Sequence, residues 1–229
     1  MGSTIYPIKR AGMHFVTFAK PSMRFLVWET PNEMAYKNLA LCLKEIYEMN
    51  GYSRYDVSGK TVVDVGGYYG ETAIMFMHRG AAKVICYEPY ISGDLIAINC
   101  ALNGVTGVTV FRQPVLHTAG IFFNPYRKNF GAMPFEPKEG GQIGVDPESV
   151  TLADIAIQDA VLKMDCEGSE HGIFETASKE TLRKFSHIMM EVHGGHEDIV
   201  ERLTACGFRI DSLKPEWAGT ETLNAERID

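Results

Sequence analysis

The 229-residue chain contains no run of 18 apolar residues, so no segment reads as a helix long enough to cross a bilayer. It contains no C-x-x-C pair either. Cys42, Cys86, Cys100, Cys166 and Cys206 are scattered and odd in number, which argues against a disulfide framework or a zinc cluster and for reduced thiols. Positive charge is scarce: 22 lysines and arginines face 29 aspartates and glutamates, a formal net charge of −7. Nucleic-acid backbones are bound by basic stripes, so nucleic acid is not an expected partner. The first residues lack the charged-then-apolar layout of a signal peptide, and Tyr6 stands where a myristoylation signal wants Ser or Thr. These absences predict a cytoplasmic protein with no membrane partner. One more absence is local. A dinucleotide fingerprint, G-x-G-x-x-G, counted from Gly66 finds Tyr68 where its second glycine belongs.

In bulk the chain is ordinary: 45% hydrophobic and 22% charged residues, the make-up of a globular protein with a substantial core. Residues 1–50 are expected to form a lid or flanking segment on a main domain, residues 51–229. Strand-like runs cover Met13 to Ala19 and Arg24 to Glu29, and a helical pattern runs from Asn32 to Met49. Trp28, Tyr36 and Tyr47 read as core aromatics, with a place at a substrate mouth as the alternative.

The main domain opens on Thr61-Val62-Val63-Asp64-Val65, a β-branched run that predicts a strand buried on both faces. Gly66, Gly67 and Gly70 follow, then a helix predicted over residues 71–79 and stopped by Gly80. A second strand, Lys83 to Tyr87, is closed by Glu88-Pro89. This is a βαβ unit with a glycine turn, and the free N–H groups of its helix start face whatever occupies that turn. Glu88 lies 22 residues beyond Gly66, near the spacing at which an acidic residue accepts hydrogen bonds from a ribose diol. A nucleoside-containing ligand is expected. Tyr68 would crowd a pyrophosphate, whereas S-adenosylmethionine has no phosphate and suits a D-x-G-x-x-x-G turn such as Asp64, Gly66 and Gly70 make.

Further along, a helix is predicted from Ser92 to Asn103 and a third strand from Val108 to Arg112. Residues 116–149, rich in Gly, Pro and aromatics (Phe122, Phe123, Tyr126, Phe130, Phe135), carry no helical period and read as a hairpin-containing insertion suited to covering a site. Alternation resumes with a helical turn at Thr151 to Ile155 and a fourth strand, Ala160 to Met164. A helix from Glu170 to Lys184 and a strand from His187 to Val192 follow, then a helix from His196 to Cys206 and a strand from Phe208 to Leu213. The tail after Pro215 is polar, and no structure is assigned to its last few residues.

Three pieces in order, DVGGYYGET…YEP at 64–89, LKMDCEGSE at 162–170 and MEVH at 190–193, resemble the FkbM-type S-adenosylmethionine-dependent methyltransferases. Asn99 and Asn103 are similar to that family's N-x-x-x-N helix. Gly67 and Tyr68 depart from it, standing where the family usually has Ala and Asn. The resemblance implies an α/β class I methyltransferase fold: a Rossmann-like, seven-stranded, mainly parallel sheet with helices on both faces. It also implies methylation of a hydroxyl on a small molecule or saccharide, with S-adenosylmethionine as donor.

By the layout of that fold, Asp64, Gly66, Gly67, Tyr68, Gly70, Glu71 and Thr72 surround the methionine end of the cofactor, with Asp165 nearby. Glu88 holds the ribose, Pro89 and Tyr90 flank the adenine, and Gln113, Pro114 and Val115 approach its edge. Asp64 has an alternative role bracing the turn. Asp165 and Glu167, at the end of the fourth strand, and His193, at the end of the fifth, are the candidate catalytic residues, because a hydroxyl acceptor must lose a proton and histidine titrates in the right range. Glu167 and Glu170 could instead satisfy amides at the following helix start. No dedicated metal-ligand spacing occurs, so no metal is expected, although Asp165, Glu167, Glu191 and His193 have the donor chemistry for one. Cys166, between carboxylates, is a poor nucleophile. A nicotinamide-dependent oxidoreductase and a non-catalytic cofactor-binding module are the alternatives, and a homodimer is left open.

Overall fold

The computed structural model describes residues 3–8, 13–19, 22–28, 34–90, 92–121, 148–215 and 219–228. Its centre is a seven-stranded sheet. The strands are β4 (Thr61–Val65), β5 (Lys83–Tyr87), β6 (Val108–Phe111), β7 (Ala160–Met164), β8 (Phe185–His193), β9 (Phe208–Pro215) and β10 (Thr220–Arg227). They lie in the order β6-β5-β4-β7-β8-β10-β9. The first five are parallel, whereas β10 runs antiparallel to both β8 and β9. The order reverses between β4 and β7. An open α/β sheet leaves its ligand crevice beyond the carboxyl ends at such a reversal.

Side-chain alternation along β4 explains the two layers that cover the sheet. Val63 and Val65 join Leu162, Met164, Met190 and Phe174 on one face. Val62, on the other face, meets Val161, Met189 and Phe76. Helices α2 (Glu71–His78) and α3 (Gly93–Leu102) lie in the connections on either side of β5, and α5 (Glu170–Thr176) follows β7. Between β6 and β7 comes the one-turn α4 (Leu152–Ile155).

The N-terminal segment is a second sheet of three antiparallel strands, β1 (Ser3–Ile8), β2 (Met13–Ala19) and β3 (Ser22–Trp28), followed by α1 (Met34–Tyr47). Val16, Phe18, Phe25, Leu39 and Leu43 share a core with Leu95, Ile96 and Cys100 of α3. The edge of β3 is also closed by side chains. Asn99 accepts from the Leu26 N–H (2.6 Å) and donates to the Leu26 carbonyl (3.2 Å), and Asn103 does the same for Arg24 (3.0 and 2.7 Å). Residues i and i+4 of a helix are spaced much like i and i+2 of a strand, so two carboxamides complete the pairing of an edge that otherwise offers unpaired groups.

Four expectations need correction. β1 was not anticipated. The helix predicted from Glu170 to Lys184 is two, α5 and α6 (Lys179–Leu182), because Ala177 is extended and Ser178 caps α6 by accepting from the Thr181 N–H. The tail is not structureless: β10 fills the gap between β8 and β9 with Leu223, Asn224 and Ala225 buried. Its polar flanks conceal a strand that both neighbours pair along its length. β8 is also longer than expected, reaching from Phe185 to His193. α7 (Glu197–Ala205) agrees with its prediction to within a residue. Residues 122–147, with the five aromatics of the insertion, lie outside the described residues, as do the side chains of Trp28 and Tyr36. The two ends of the insertion meet, Leu116 N–H donating to the Val150 carbonyl (2.9 Å) and Ser149 N–H to that of Ile121 (2.9 Å).

Candidate active site

At the end of β4 the chain turns through Gly66, with φ at +81°. A Cβ there would stand 1.7 Å from the Asp165 carbonyl oxygen, and one on Gly67 would stand 2.0 Å from Cys86 Sγ. Close approach of the ends of β4, β5 and β7 therefore demands glycine at both places. The glycines are explained by the protein's own packing, and the case for a ligand rests on the side chains around them.

Glu88, at the end of β5, is 4% exposed. Its Oε2 accepts from the Tyr68 N–H in the glycine turn (2.9 Å) and its Oε1 from the Tyr90 N–H (2.8 Å). Burial raises its pKa to about 7, against the pull of those two bonds. An ionised carboxylate has acceptor capacity for more than two donors, so Glu88 can also receive a diol. The Pro89 carbonyl accepts from Arg112 Nη2 (3.0 Å), and Arg112 is paired with Asp94. Gln113 and Pro114 bond to Glu148 and Val150 at the far end of the insertion, and Val115 is buried in the main core. Those three residues thus anchor the loop after β6, while the glycine turn bonds to Glu88.

Beneath the turn lies a cation that the sequence reading did not use. Lys163, in β7, is 1% exposed. Its Nζ donates to the Gly66 carbonyl (2.6 Å) and lies 3.2 Å from Asp64 Oδ1. Thr72 donates its hydroxyl to Asp64 Oδ2 (2.6 Å), and Glu71 accepts from the Tyr69 N–H (3.1 Å). Burial opposes the charge on Lys163, but Asp64, Asp165 and Glu71 outweigh it and raise its pKa. Burial pushes Glu71 up to about 8. Asp64 is thus engaged by Lys163 and Thr72 beneath the turn. A signal for Lys163 did exist: one lysine within the otherwise apolar run AVLKM.

Asp165, at the end of β7, follows that lysine by two residues. Its Oδ2 accepts from the Tyr52 hydroxyl at 3.4 Å. Burial, reinforced by Glu191 and Glu167 and opposed by Lys163 and His193, raises its pKa to about 7. Glu167 is exposed, with φ at +57°. His193, at the end of β8, has Nε2 3.7 Å from Glu167 and Nδ1 3.4 Å from Glu170. Burial works against the imidazolium, yet Glu170, Asp165 and Glu191 raise its pKa to about 9. The structure therefore brings the three expected catalytic residues together. Glu170 is fully buried and accepts from the Cys166 N–H (2.8 Å), an amide of the turn that precedes α5. One ligand atom each from Asp165, Glu170 and His193 lie within 4.8 Å of one another, a spacing a cation could use. Burial and Glu170 raise the pKa of Cys166, in line with the argument against a nucleophilic role. All five cysteines are free thiols.

The methyltransferase FkbM domain model matches residues 64–210, well over half of the chain. The chain belongs to the FkbM methyltransferase family. S-adenosylmethionine is the cofactor of that family, and the carboxylates Glu88 and Asp165 at the ends of β5 and β7 suit its ribose hydroxyls and ammonium group. A curated relative, the electron transfer flavoprotein beta subunit lysine methyltransferase of Mus musculus, is 38% identical over 63 residues, 27% of this chain and 25% of that protein. The rat counterpart is 35% identical over an equal length, so the chain spans about a quarter of the curated relatives it matches. Among solved structures, a ribosomal protein L11 methylase from Lactobacillus delbrueckii subsp. bulgaricus superposes with a TM-score of 0.51 at 18% identity, covering 79% of this chain and 76% of that one. SMU.776, assigned as a methyltransferase and complexed with SAH, gives 0.55 at 9% identity, covering 96% of this chain and 57% of that one. Both likenesses support the fold. Among the described residues no helix is long and apolar enough to cross a membrane.

Proposed function

We propose that the chain transfers a methyl group from S-adenosylmethionine to a hydroxyl oxygen of a small molecule or saccharide, with Asp165 as the general base. The observation that carries this reading is the meeting of Asp165 with Glu167 and His193 beyond the carboxyl ends of β7 and β8, where burial raises the Asp165 carboxyl toward the range in which a base works best. When bound, S-adenosylmethionine supplies a methyl group made electrophilic by a sulfonium. Glu88 receives the ribose hydroxyls, and the Asp64–Lys163 pair keeps the glycine turn in place beside the methionine end. Asp165 would take the proton that the acceptor hydroxyl loses on methylation. His193, raised to about 9, is charged at neutral pH. It serves as a positive partner for Asp165 and Glu167 and leaves the base role to Asp165.

In this reading the connection after α1 supplies one wall of the acceptor site, since Tyr52 reaches Asp165. A second reading is favoured by the carboxylates Asp165, Glu167 and Glu191 gathered beside the site: an amine acceptor, as in the lysine methyltransferase named above. Incubation with methyl-labelled cofactor and matched panels of hydroxyl and amine acceptors separates the two. Label appearing only in amines overturns the hydroxyl reading. Failure of the folded protein to bind S-adenosylhomocysteine overturns both.

A further inference from the structure

The segment joining α1 to β4 contains an unusual residue for its conformation. Tyr52 has φ at +55°, in the left-handed region that a bulky L-residue seldom enters. Such outliers persist where the surroundings over-determine them, and they cluster at functional sites. Here the surroundings include Arg79, the residue after α2. Its Nη1 donates to the Tyr52 carbonyl (3.1 Å), and its Nη2 donates to those of Ser53 (3.0 Å) and Tyr55 (2.8 Å). One guanidinium thus gathers three carbonyls of the loop.

That conformation delivers the side chain to a particular place. Tyr52 is 4% exposed. Its ring lies 5.3 Å from Lys163 Nζ, within cation–π range, and its hydroxyl donates to Asp165 Oδ2 at 3.4 Å. Burial raises the phenol's pKa well above its ordinary value, with Asp165 and Glu191 adding to the effect, so it stays protonated and can only donate to a carboxylate. A purely structural account is available in the apolar cluster with Ile46, Val57, Val62 and Phe76. Phenylalanine would satisfy that cluster equally well, and it leaves the hydroxyl unexplained.

We propose that Tyr52, held by Arg79, is a positioning residue that fixes the Asp165 carboxylate through Oδ2 and leaves Oδ1 to take the acceptor proton. This rests on Asp165 being the base in the function proposed above. Around Asp165 stand Lys163 on its own strand, Glu167 in the following turn, Glu191 and His193 on β8, and Cys42 on α1. The phenol is the neutral group hydrogen-bonded to the carboxylate, and a donor to a carboxylate favours its charged form.

The test is Tyr52→Phe, which keeps the ring and deletes the donor. Carboxyl-carbon NMR of aspartate-labelled protein, with the Asp165 signal assigned by its loss in Asp165→Asn, reads the ionisation directly and needs no acceptor. The expected result is an upward shift of the Asp165 midpoint equivalent to about a threefold fall or more in its ionisation constant, with S-adenosylhomocysteine affinity kept within about twofold. A smaller shift of the same sign is expected in Arg79→Lys, which keeps the charge and loses the fork. An unmoved midpoint in folded Tyr52→Phe overturns the proposal. So does an unmoved midpoint accompanied by a tenfold loss of S-adenosylhomocysteine affinity, which would place Tyr52 at the cofactor instead. Absence of S-adenosylhomocysteine binding in the parent protein would defeat the methyl-transfer reading alone, because the titration still decides whether Tyr52 acts on Asp165.

Discussion

The Lys163 ammonium and the Asp64 carboxylate lie 3.2 Å apart with both side chains sealed from solvent. Breaking a buried pair by removing one partner leaves the other uncompensated, at a cost of about 3–5 kcal/mol. Lys163→Met is therefore expected to destabilise the fold by that order. Asp64→Asn added to it is expected to recover part of the loss, since the stranded anion disappears while the oxygen that Thr72 donates to remains. Denaturant unfolding of the two single variants and the double variant checks this. Strict additivity would mean that the ions do not act as a pair.

Glu88 links the glycine turn to the segment after β5 through the Tyr68 and Tyr90 amides. Its replacement should register in cofactor affinity, with Glu88→Ala weakening S-adenosylhomocysteine binding tenfold or more, about 1.4 kcal/mol. Calorimetric titration measures it. Glu88→Gln is expected to be intermediate, because one carboxamide oxygen can still accept.

For Asp165 the sign of the pH dependence follows from the base role. The competent form is the carboxylate, so methyl transfer at saturating cofactor should rise with pH through about 7 and then level off. Asp165→Asn should lower kcat by about a hundredfold or more and abolish that rise. A pH profile unchanged in Asp165→Asn would reassign the titrating group.

Much of this was legible in the chain. Strands β4 to β8 announce themselves as short β-branched or apolar runs, and the D-x-E-G-x-E and E-x-H pieces place Asp165, Glu167 and His193 on adjacent strand ends. What stayed hidden are residues whose partners are distant in sequence. Tyr52 reaches Asp165 from the connection before β4, and Lys163 reaches the Gly66 carbonyl because β4 and β7 are neighbours. Leucine in place of Tyr52 would look no stranger in the sequence, and the lysine within AVLKM shows that Lys163 is unusual without showing what it meets. β10 was hidden for another reason: Thr220 to Arg227 is polar at both ends, and its burial comes from the strands that flank it.

Asn99 ties three parts together, since its amide also donates to the Tyr69 carbonyl in the glycine turn (2.9 Å). Asn99→Ala would strand the Leu26 N–H and two carbonyls in a buried place, and each orphaned group costs about 1–3 kcal/mol. The expected outcome is a loss of at least about 2 kcal/mol, with hydrogen-exchange protection falling first in β3 and the glycine turn. Uniform loss of protection across the sheet would show that Asn99 contributes only to the general core.

Stability should also depend on pH in one direction between about 7 and 9. Glu71, raised to about 8, binds its proton more tightly in the folded state than in the unfolded state, so its contribution diminishes as pH rises toward that value. His193, raised to about 9, contributes stability that is complete below its unfolded value near 6.5 and is lost as pH climbs through 9. Glu170, held low by His193 despite its burial, has already ionised and does not change in this window. Glu88 and Asp165, both raised to about 7, add the same sign at the lower end of the window, so Tm should fall from pH 7 to pH 9. His193→Gln should flatten the upper part of the decline and leave the Glu71 part in place. Thermal unfolding of the two proteins across that range tests the assignment, and an undiminished decline in His193→Gln would trace the loss to groups other than the His193–Glu170 pair.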